Sequence, residues 1–386
     1  MNLYNFLKRL NDSVRYYERV DSEINEIVDL IHHGYSKDYI KKFHKMDFEF
    51  LFEFAKTRIK ISEKFSQANH LFMDHYSAMY STPEIIGKYR SKKLAGNNII
   101  DAGSGAGMQD IMFSQYSKVT GVEVDKTRYL MACLNRIPYN SQANFINSDF
   151  YALNADFSGA ILFSDPLRPA NSQEKTFSQL SPDPYNIIIH RPEILGYAID
   201  LPPHIEWSNI PLKGEKEYIS YKGVLNRLTL YSHTISENKN TAVILPENII
   251  VSGEPEEIRY EISNNPQVGN FIYVPDITLL YAKLLHMVIK PEWVAIYIDQ
   301  RRVIFSGNSY EKLFPGKQYA VLGISSNLDF LPLLQRINAG KIFFRYSMAP
   351  DETYRYKNLF EKELTGVKNI YVFKAGNTYI LSEEIS

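Results

Sequence analysis

The chain predicts an α/β protein built on a mostly parallel sheet covered on both faces, and three observations carry that reading. An apolar run, Asn98-Ile99-Ile100-Asp101-Ala102, leads straight into Gly103-Ser104-Gly105-Ala106-Gly107, which places three glycines in five positions. The next apolar run, Val119-Thr120-Gly121-Val122-Glu123-Val124, reaches a carboxylate about 20 residues further on, a spacing that fits a nucleoside-containing ligand. Short apolar runs then keep alternating with helical or mixed segments as far as residue 250, the pattern of strands buried on both faces.

Residues 1 to about 92 form an N-terminal helical domain in this reading. Apolar residues recur at three and four positions in Ile24, Ile27, Val28 and Ile31, and again in Phe50, Leu51 and Phe54, with charges of both signs between them. Thr82-Pro83-Glu84 reads as a cap, a proline at the first helical position and an acid in the first turn, so a helix stands directly before the glycine loop. Residues 93–250 form the sheet domain. Its expected strands are Asn98–Ala102, Lys118–Val124, Ala143–Asn147, Gly159–Ser164, Leu195–Leu201 and Thr241–Pro246. Trp207–Ile210 and Glu217–Tyr221 break that rhythm as a candidate hairpin.

A small α+β domain, 251–386, follows Gly253-Glu254-Pro255-Glu256-Glu257. It should hold a helix at Asp276–Ile289, strands at Val294–Ile298 and Val303–Phe305, and an apolar segment at Lys341–Tyr346. Asn369–Phe373 and Thr378–Leu381, split by Ala375-Gly376-Asn377, read as a closing hairpin. A length of 386 residues accommodates two or three domains.

Charge and cysteine content narrow the classes. The net charge of -1 supplies no global field toward nucleic acid or membrane, so such a partner must be met by a local patch. The single cysteine, Cys133, excludes an intrachain disulfide and a cysteine-rich zinc site, which fits a reducing cytoplasm. Met1-Asn2-Leu3-Tyr4-Asn5-Phe6 lacks the basic-then-apolar order of a signal peptide, and a cytoplasmic location is expected. No apolar run approaches the roughly 18 residues of a membrane span. His32-His33 and His75 show no metal-ligand spacing.

The glycine spacing is Gly-x-Gly-x-Gly, whereas a dinucleotide fold sets a pyrophosphate on a Gly-x-Gly-x-x-Gly turn. S-adenosylmethionine (SAM) carries no phosphate and would lay its methionine moiety over such a turn. Asp101 would then meet the methionine ammonium directly or through water, and Gly103, Ser104, Gly105 and Gly107 would let the backbone approach. Glu123, with Val124 beside it, would accept from the ribose. Asp149 would accept from the adenine amine, and Phe150 would pack on the ring. Each piece alone is as readily a structural turn or a surface carboxylate. Their order, each at the end of an apolar run, favours SAM, and the third-strand acid counts against NAD.

With those residues in place, the chain resembles the class I SAM-dependent methyltransferases, within them the subgroup with a C-terminal THUMP-like domain. Ser81-Thr82-Pro83-Glu84 with Tyr89-Arg90, Asp101–Gly107, Gly121–Asp125 and Phe163-Ser164-Asp165-Pro166-Leu167-Arg168 carry the likeness. It continues through Asp200–Trp207, Glu217-Tyr218-Ile219-Ser220 with Gly223, Tyr273-Val274-Pro275-Asp276 with Ala282, and Lys341–Tyr346. The resemblance implies a Rossmann-like methyltransferase sheet. Through the THUMP-like module it also implies structured RNA, such as transfer RNA, as substrate.

The chemistry is expected at Asp165-Pro166-Leu167-Arg168, where the fourth strand ends. Methyltransferases acting on exocyclic amines carry Asp or Asn, two prolines and an aromatic there. This chain keeps Asp165 and Pro166 but has Leu167 and Arg168 in the last two places. Asp165 could orient or deprotonate a ring nitrogen or hydroxyl, and Arg168 could clamp a substrate phosphate or form a surface salt bridge. His204 reads as a capped turn residue or a pocket residue. Between residues 270 and 386 there are 14 Lys and Arg against 11 Asp and Glu. Arg301-Arg302, then Lys341, Arg345, Arg355 and Lys357 among Phe343, Phe344, Tyr346, Tyr354 and Tyr356, are the candidate RNA contacts. Two other readings remain: methylation of a small molecule or protein, and SAM binding without catalysis.

Overall fold

The computed structural model describes residues 2–167, 179–203, 205, 210–257, 259–262, 267–299 and 301–385. Arg168 and His204 lie outside the described residues, as does most of Trp207–Ile210. The chain divides into two compact units, Met1–Glu215 with Leu228–Glu237, and Lys216–Arg227 with Asn238–Ser386.

The first unit opens with six helices, α1 (Leu3–Asp12), α2 (Val14–His32), α3 (Lys37–Lys41), α4 (Phe48–Ile61), α5 (His75–Tyr80) and α6 (Glu84–Lys93). Local chemistry sets several of their starts. The side chains of Asn2, Ser13, Ser36 and Asp74 each accept a backbone N–H from the first turn, which satisfies a donor the helix cannot pair internally. At α6 the sequence reading is off by one position. Pro83 is the cap residue and Glu84 opens the helix. Glu84 instead accepts from the Ser66 backbone N–H at 2.6 Å and the Tyr139 hydroxyl at 2.7 Å. Within α4, Arg58 is fully buried and bonds Asp21 at 2.7 Å and the carbonyl of Leu71 at 3.2 Å.

The strands of this unit lie in the order β3-β2-β1-β4-β5-β7, the last contributing its residues 228–231. They are β1 (Asn98–Ala102), β2 (Lys118–Glu123), β3 (Asn144–Asn147), β4 (Ala160–Ser164), β5 (Gly196–Leu201) and β7 (Val224–Tyr231). The first five are parallel and match the expected runs to within a residue or two at each end; β7 is antiparallel to β5. The sequence reading assigns nothing to Val224–Tyr231. The turn before β7 holds Lys222 and Gly223, both at positive φ (53° and 73°), the demand of a tight hairpin turn. Helices α7 (Met108–Phe113) and α8 (Lys126–Asn135) follow β1 and β2. Their apolar residues share one core with α1, α2 and α4: Ile111, Phe113, Met131 and Leu134 join Phe6, Ile24 and Phe54. Ile100, Val122 and Leu162 point the other way, into a cluster with Phe150, Phe157 and Ile187 of α9 (Pro184–His190). Successive residues of each strand thus serve opposite faces, and the sheet is covered on both.

In the second unit β6 (Glu215–Tyr221) pairs in parallel with β8 (Asn240–Leu245), and β8 pairs antiparallel with β9 (Ile249–Gly253). A seven-stranded sheet of order β11-β12-β10-β13-β16-β15-β14 follows. It comprises β10 (Phe271–Pro275), β11 (Val294–Ile298), β12 (Val303–Gly307), β13 (Gly316–Ser325), β14 (Ala339–Phe344), β15 (Lys368–Ala375) and β16 (Thr378–Ile385). The β15–β16 hairpin turns at Gly376 and Asn377 as expected, with Ala375 opposite Thr378. α11 (Leu331–Arg336) and α12 (Pro350–Glu361) pack on one face through Leu334 and Phe360. The helix expected over Asp276–Ile289 is shorter: α10 spans Ile277–Tyr281, and Leu285–Met287 forms one 3₁₀ turn. Lys283 separates them at φ 57°, a left-handed conformation that ends a helix.

Candidate functional site

A cavity of about 290 Å³ opens at the carboxyl ends of β1, β2 and β4. Gly103, Ser104, Gly105 and Ala106 border it, with Glu123, Val124, Asp125 and Arg128 from β2 onward and Phe163, Asp165 and Leu167 from β4 onward. Open α/β sheets bind ligands at this edge.

The glycines serve different ends. Gly103 and Gly105 have φ of 117° and 55°, and a Cβ on Gly105 would meet nothing within 4 Å. Open space over a turn that side chains strain to adopt is what a close-approaching ligand requires. Gly107, at φ 78°, is different: a Cβ there would lie 2.7 Å from the Phe145 ring and 2.8 Å from Ala132. It seats α7 against β3 and α8 and does not border the cavity.

Glu123 is 7% exposed and reaches over the turn. One carboxylate oxygen accepts the Gly105 N–H at 2.7 Å and the other accepts the Asp125 N–H at 2.8 Å. Each oxygen keeps a lone pair for a further donor such as a hydroxyl. Asp101 lies just behind, 3% exposed, with Oδ1 unpartnered. Its neighbour on α7, Asp110, is fully buried and both its oxygens lack a hydrogen-bond partner. Gly121 makes room for this pair, since a Cβ there would stand 2.9 Å from Asp110 Oδ2. Burial raises the pKa of both carboxyls, and the charge of Asp110 raises Asp101 further. Both groups are therefore held toward their protonated forms.

Behind the cavity, fully buried Arg90 donates to Asp200 Oδ1 at 2.5 Å and to Gln109 Oε1 at 3.1 Å, with its guanidinium 4.7 Å from the Phe163 ring. Gln109 and Phe163 both border the cavity, so Arg90 fixes two wall residues without reaching the opening.

The structure therefore brings together Gly103, Ser104, Gly105, Glu123, Val124 and Asp165, with Asp101 just beneath. It does not bring Asp149 or Phe150 to the same cavity. Asp149 is exposed and accepts the Tyr151 N–H at 2.9 Å. Phe150 is buried and stacks on Phe157 with ring centroids 5.4 Å apart; it borders a separate cavity of about 230 Å³ with Tyr151, Ile187 and Arg191. Pro166 is half-buried beside Asp165 and is not among the lining residues. Among the described residues no group of His, Cys, Asp and Glu is placed to hold a metal ion, and no helix is long and apolar enough to cross a membrane.

Sequence reasoning missed the tyrosines of one wall. Tyr76, Ser77 and Tyr80 of α5, with Ser81 and Thr82 after it, line the cavity from the N-terminal helices. The available signal was the Tyr-x-x-x-Tyr spacing behind the capping Asp74, which sets both rings on one helix face. Asp110 was missed as well, because a carboxylate on a short helix reads as solvated.

No protein-family model and no curated protein matches the sequence. Among solved structures, the chain is similar to a protein from Porphyromonas gingivalis W83 described as a "putative methyltransferase". The TM-score is 0.73 at 15% identity, over 96% of this chain and 99% of that one. Shorter overlaps occur with a methyltransferase from Pyrococcus furiosus (TM-score 0.34, 19% identity, 46% of this chain and 98% of that one). Another is the T. thermophilus 16S rRNA N2 G1207 methyltransferase (0.30, 13%, 42% and 43%). The near-complete overlap with the first shows that the two chains share one α/β fold over almost their whole length.

Proposed function

We propose that this protein is a SAM-dependent methyltransferase acting on structured RNA such as transfer RNA. One observation carries the cofactor reading: the open glycine turn faces a cavity bordered by Glu123, Asp125 and Asp165, with Arg128 the one cation among the described lining residues. A pyrophosphate would be repelled there, whereas a sulfonium and an ammonium are attracted. The orphaned oxygens of Asp101 and Asp110 fit the same ligand, since a cation beside them removes the cost of burying a carboxylate alone. The name of the full-length structural relative agrees.

In this reading Glu123 accepts from the ribose hydroxyls, the Gly103–Gly105 backbone cradles the methionine moiety, and Asp101 faces its ammonium. SAM supplies a methyl group already activated on sulfur, so the chain has little acid–base work to do. It holds the acceptor in line with the methyl carbon and excludes water. Asp165 orients the acceptor and takes its proton. Asp149 and Phe150 would contribute to the adenine end only by moving from their present positions.

The RNA part rests on the second unit, which we read as a THUMP-like module within a 1–92, 93–250 and 251–386 organisation. Cations there lie over rings: Arg345 over Tyr371 at 5.1 Å, Arg355 over Tyr356 at 4.8 Å, Lys357 over Phe343 at 5.4 Å and Lys374 over Tyr379 at 5.3 Å. Tyr354 is 72% exposed beside them. Charge with exposed aromatic faces suits a phosphate backbone carrying unstacked bases. Arg302 is less available, being held by Asp299 at 3.1 Å and the Arg345 carbonyl at 3.2 Å. The deciding experiment incubates the protein with methyl-labelled SAM and bulk transfer RNA, then digests to nucleosides. Label in one methylated nucleoside is expected; label in neither RNA nor protein would leave binding without catalysis.

A further inference from the structure

Tyr76 and Tyr80 stand one helical turn apart on α5, and their rings lie side by side with centroids 4.5 Å apart. Both border the cavity, yet Tyr76 remains 40% and Tyr80 57% exposed. The first ring is held in place: the Arg128 guanidinium lies 4.8 Å over it, and Arg128 is itself 3.5 Å from Asp74, the residue that caps α5.

A second element brings different chemistry to the same cavity. Leu167 is tied to Ser181 by reciprocal backbone hydrogen bonds of 2.8 and 2.9 Å, while 47% of its surface stays open. Asp165, two residues earlier, supplies a carboxylate. Tyr76 and Asp165 border the same cavity, and burial raises the pKa of the Tyr76 phenol while Arg128 opposes the rise. A flat heteroaromatic ring has apolar faces and a polar edge. Two part-exposed tyrosine rings, one leucine and one carboxylate complement that shape. An aliphatic amine would leave the ring faces wet, and a carboxylate acceptor would meet the charge of Asp165.

We propose that Tyr76 and Tyr80 form the stacking wall for the methyl acceptor, and that this acceptor is a nucleobase of RNA presenting its edge to Asp165. The proposal rests on the methyltransferase reading and specifies its acceptor. The rings supply from α5 the aromatic surface that Asp165-Pro166-Leu167 lacks. In the step, a nitrogen lone pair of the base forms the bond to the methyl carbon as the carbon–sulfur bond breaks. Sulfur keeps that electron pair as a neutral thioether, and the proton leaving nitrogen passes to Asp165.

The test uses the full chain as wild type and as Tyr76→Leu, Tyr80→Leu, Tyr76→Phe and Tyr80→Phe. SAM affinity is measured by calorimetry and methyl transfer to bulk transfer RNA by initial rates, with digestion to nucleosides. Loss of a base–ring stack should lower kcat/KM for RNA by roughly 5- to 150-fold in the leucine variants. SAM affinity should stay within about twofold, the phenylalanine variants should lose far less activity than the leucine ones, and label should sit on a base. Leucine variants with unchanged kcat/KM would overturn the proposal, as would a tenfold-order loss of SAM affinity, which would mean the rings cover the cofactor. Label on ribose or on protein, or no label in RNA from a protein that binds SAM, would also overturn it. Wild type that fails to bind SAM would instead bring down the methyltransferase reading itself.

Discussion

Glu123 is the residue on which cofactor affinity should turn. It is nearly buried and already aligned by two backbone N–H groups, so it meets a ligand without reorganising. Hydrogen bonds to a charged acceptor contribute about 1.5–3 kcal/mol each, and Glu123→Ala should weaken SAM by on the order of 100-fold, read by calorimetry. Asp165→Ala should separate the two functions, leaving SAM affinity within about threefold while removing methyl transfer. The buried Asp101–Asp110 pair predicts a proton linkage. Its folded-state pKa values are raised, so the ligand-free fold retains a proton that the unfolded chain gives up near the ordinary aspartate range. Stability should therefore fall as pH rises through that window up to the raised values. A bound ammonium favours the ionised pair, so SAM binding should release protons and tighten with rising pH. Calorimetry in buffers of different ionisation enthalpy reads this directly, and proton uptake would contradict it.

At the scale of elements, the glycine turn separates structure from binding. Gly107→Ala would force a Cβ into the Phe145 ring and Ala132 at a left-handed φ. Overpacking and backbone strain together should cost roughly 2–5 kcal/mol, seen as a large drop in Tm. Gly105→Ala meets open space, so about 1–2 kcal/mol of backbone strain is expected, yet its methyl would occupy the ligand's approach and SAM affinity should collapse. The parallel strands and this turn were legible in the sequence because burial and glycine placement are local signals. The α5 wall was not, because Tyr76 and Tyr80 reach the cavity only once the N-terminal helices pack on α7 and α8. Helix α10 was overread because the apolar spacing continues past Lys283, whose left-handed backbone no periodicity reveals. Asp149 and Phe150 do follow β3 as the sequence order requires, but their side chains serve a turn and a core, which that order does not distinguish from a ligand contact.

For the whole molecule, the near-neutral charge makes any RNA affinity a matter of the second unit's local cations. Binding of transfer RNA to the full chain should weaken steeply with salt. Lys341→Glu or Arg355→Glu should lower the slope of log affinity against log salt by roughly one for each phosphate left without its cation. A filter-binding series that shows the same slope in wild type and variants would remove those residues from the interface. In the first unit, one buried amide links parts that sequence order keeps far apart. Asn135, at the end of α8, accepts the Phe72 N–H at 2.7 Å and donates to the carbonyls of Phe72 at 3.1 Å and Ala106 at 3.0 Å. Asn135→Leu would strand three interior backbone groups, for on the order of 3–9 kcal/mol, measurable by denaturant unfolding. Ala106 belongs to the cofactor turn and Phe72 to the segment feeding the tyrosine wall. A change at position 135 would therefore disturb two rims of the crevice in a single step.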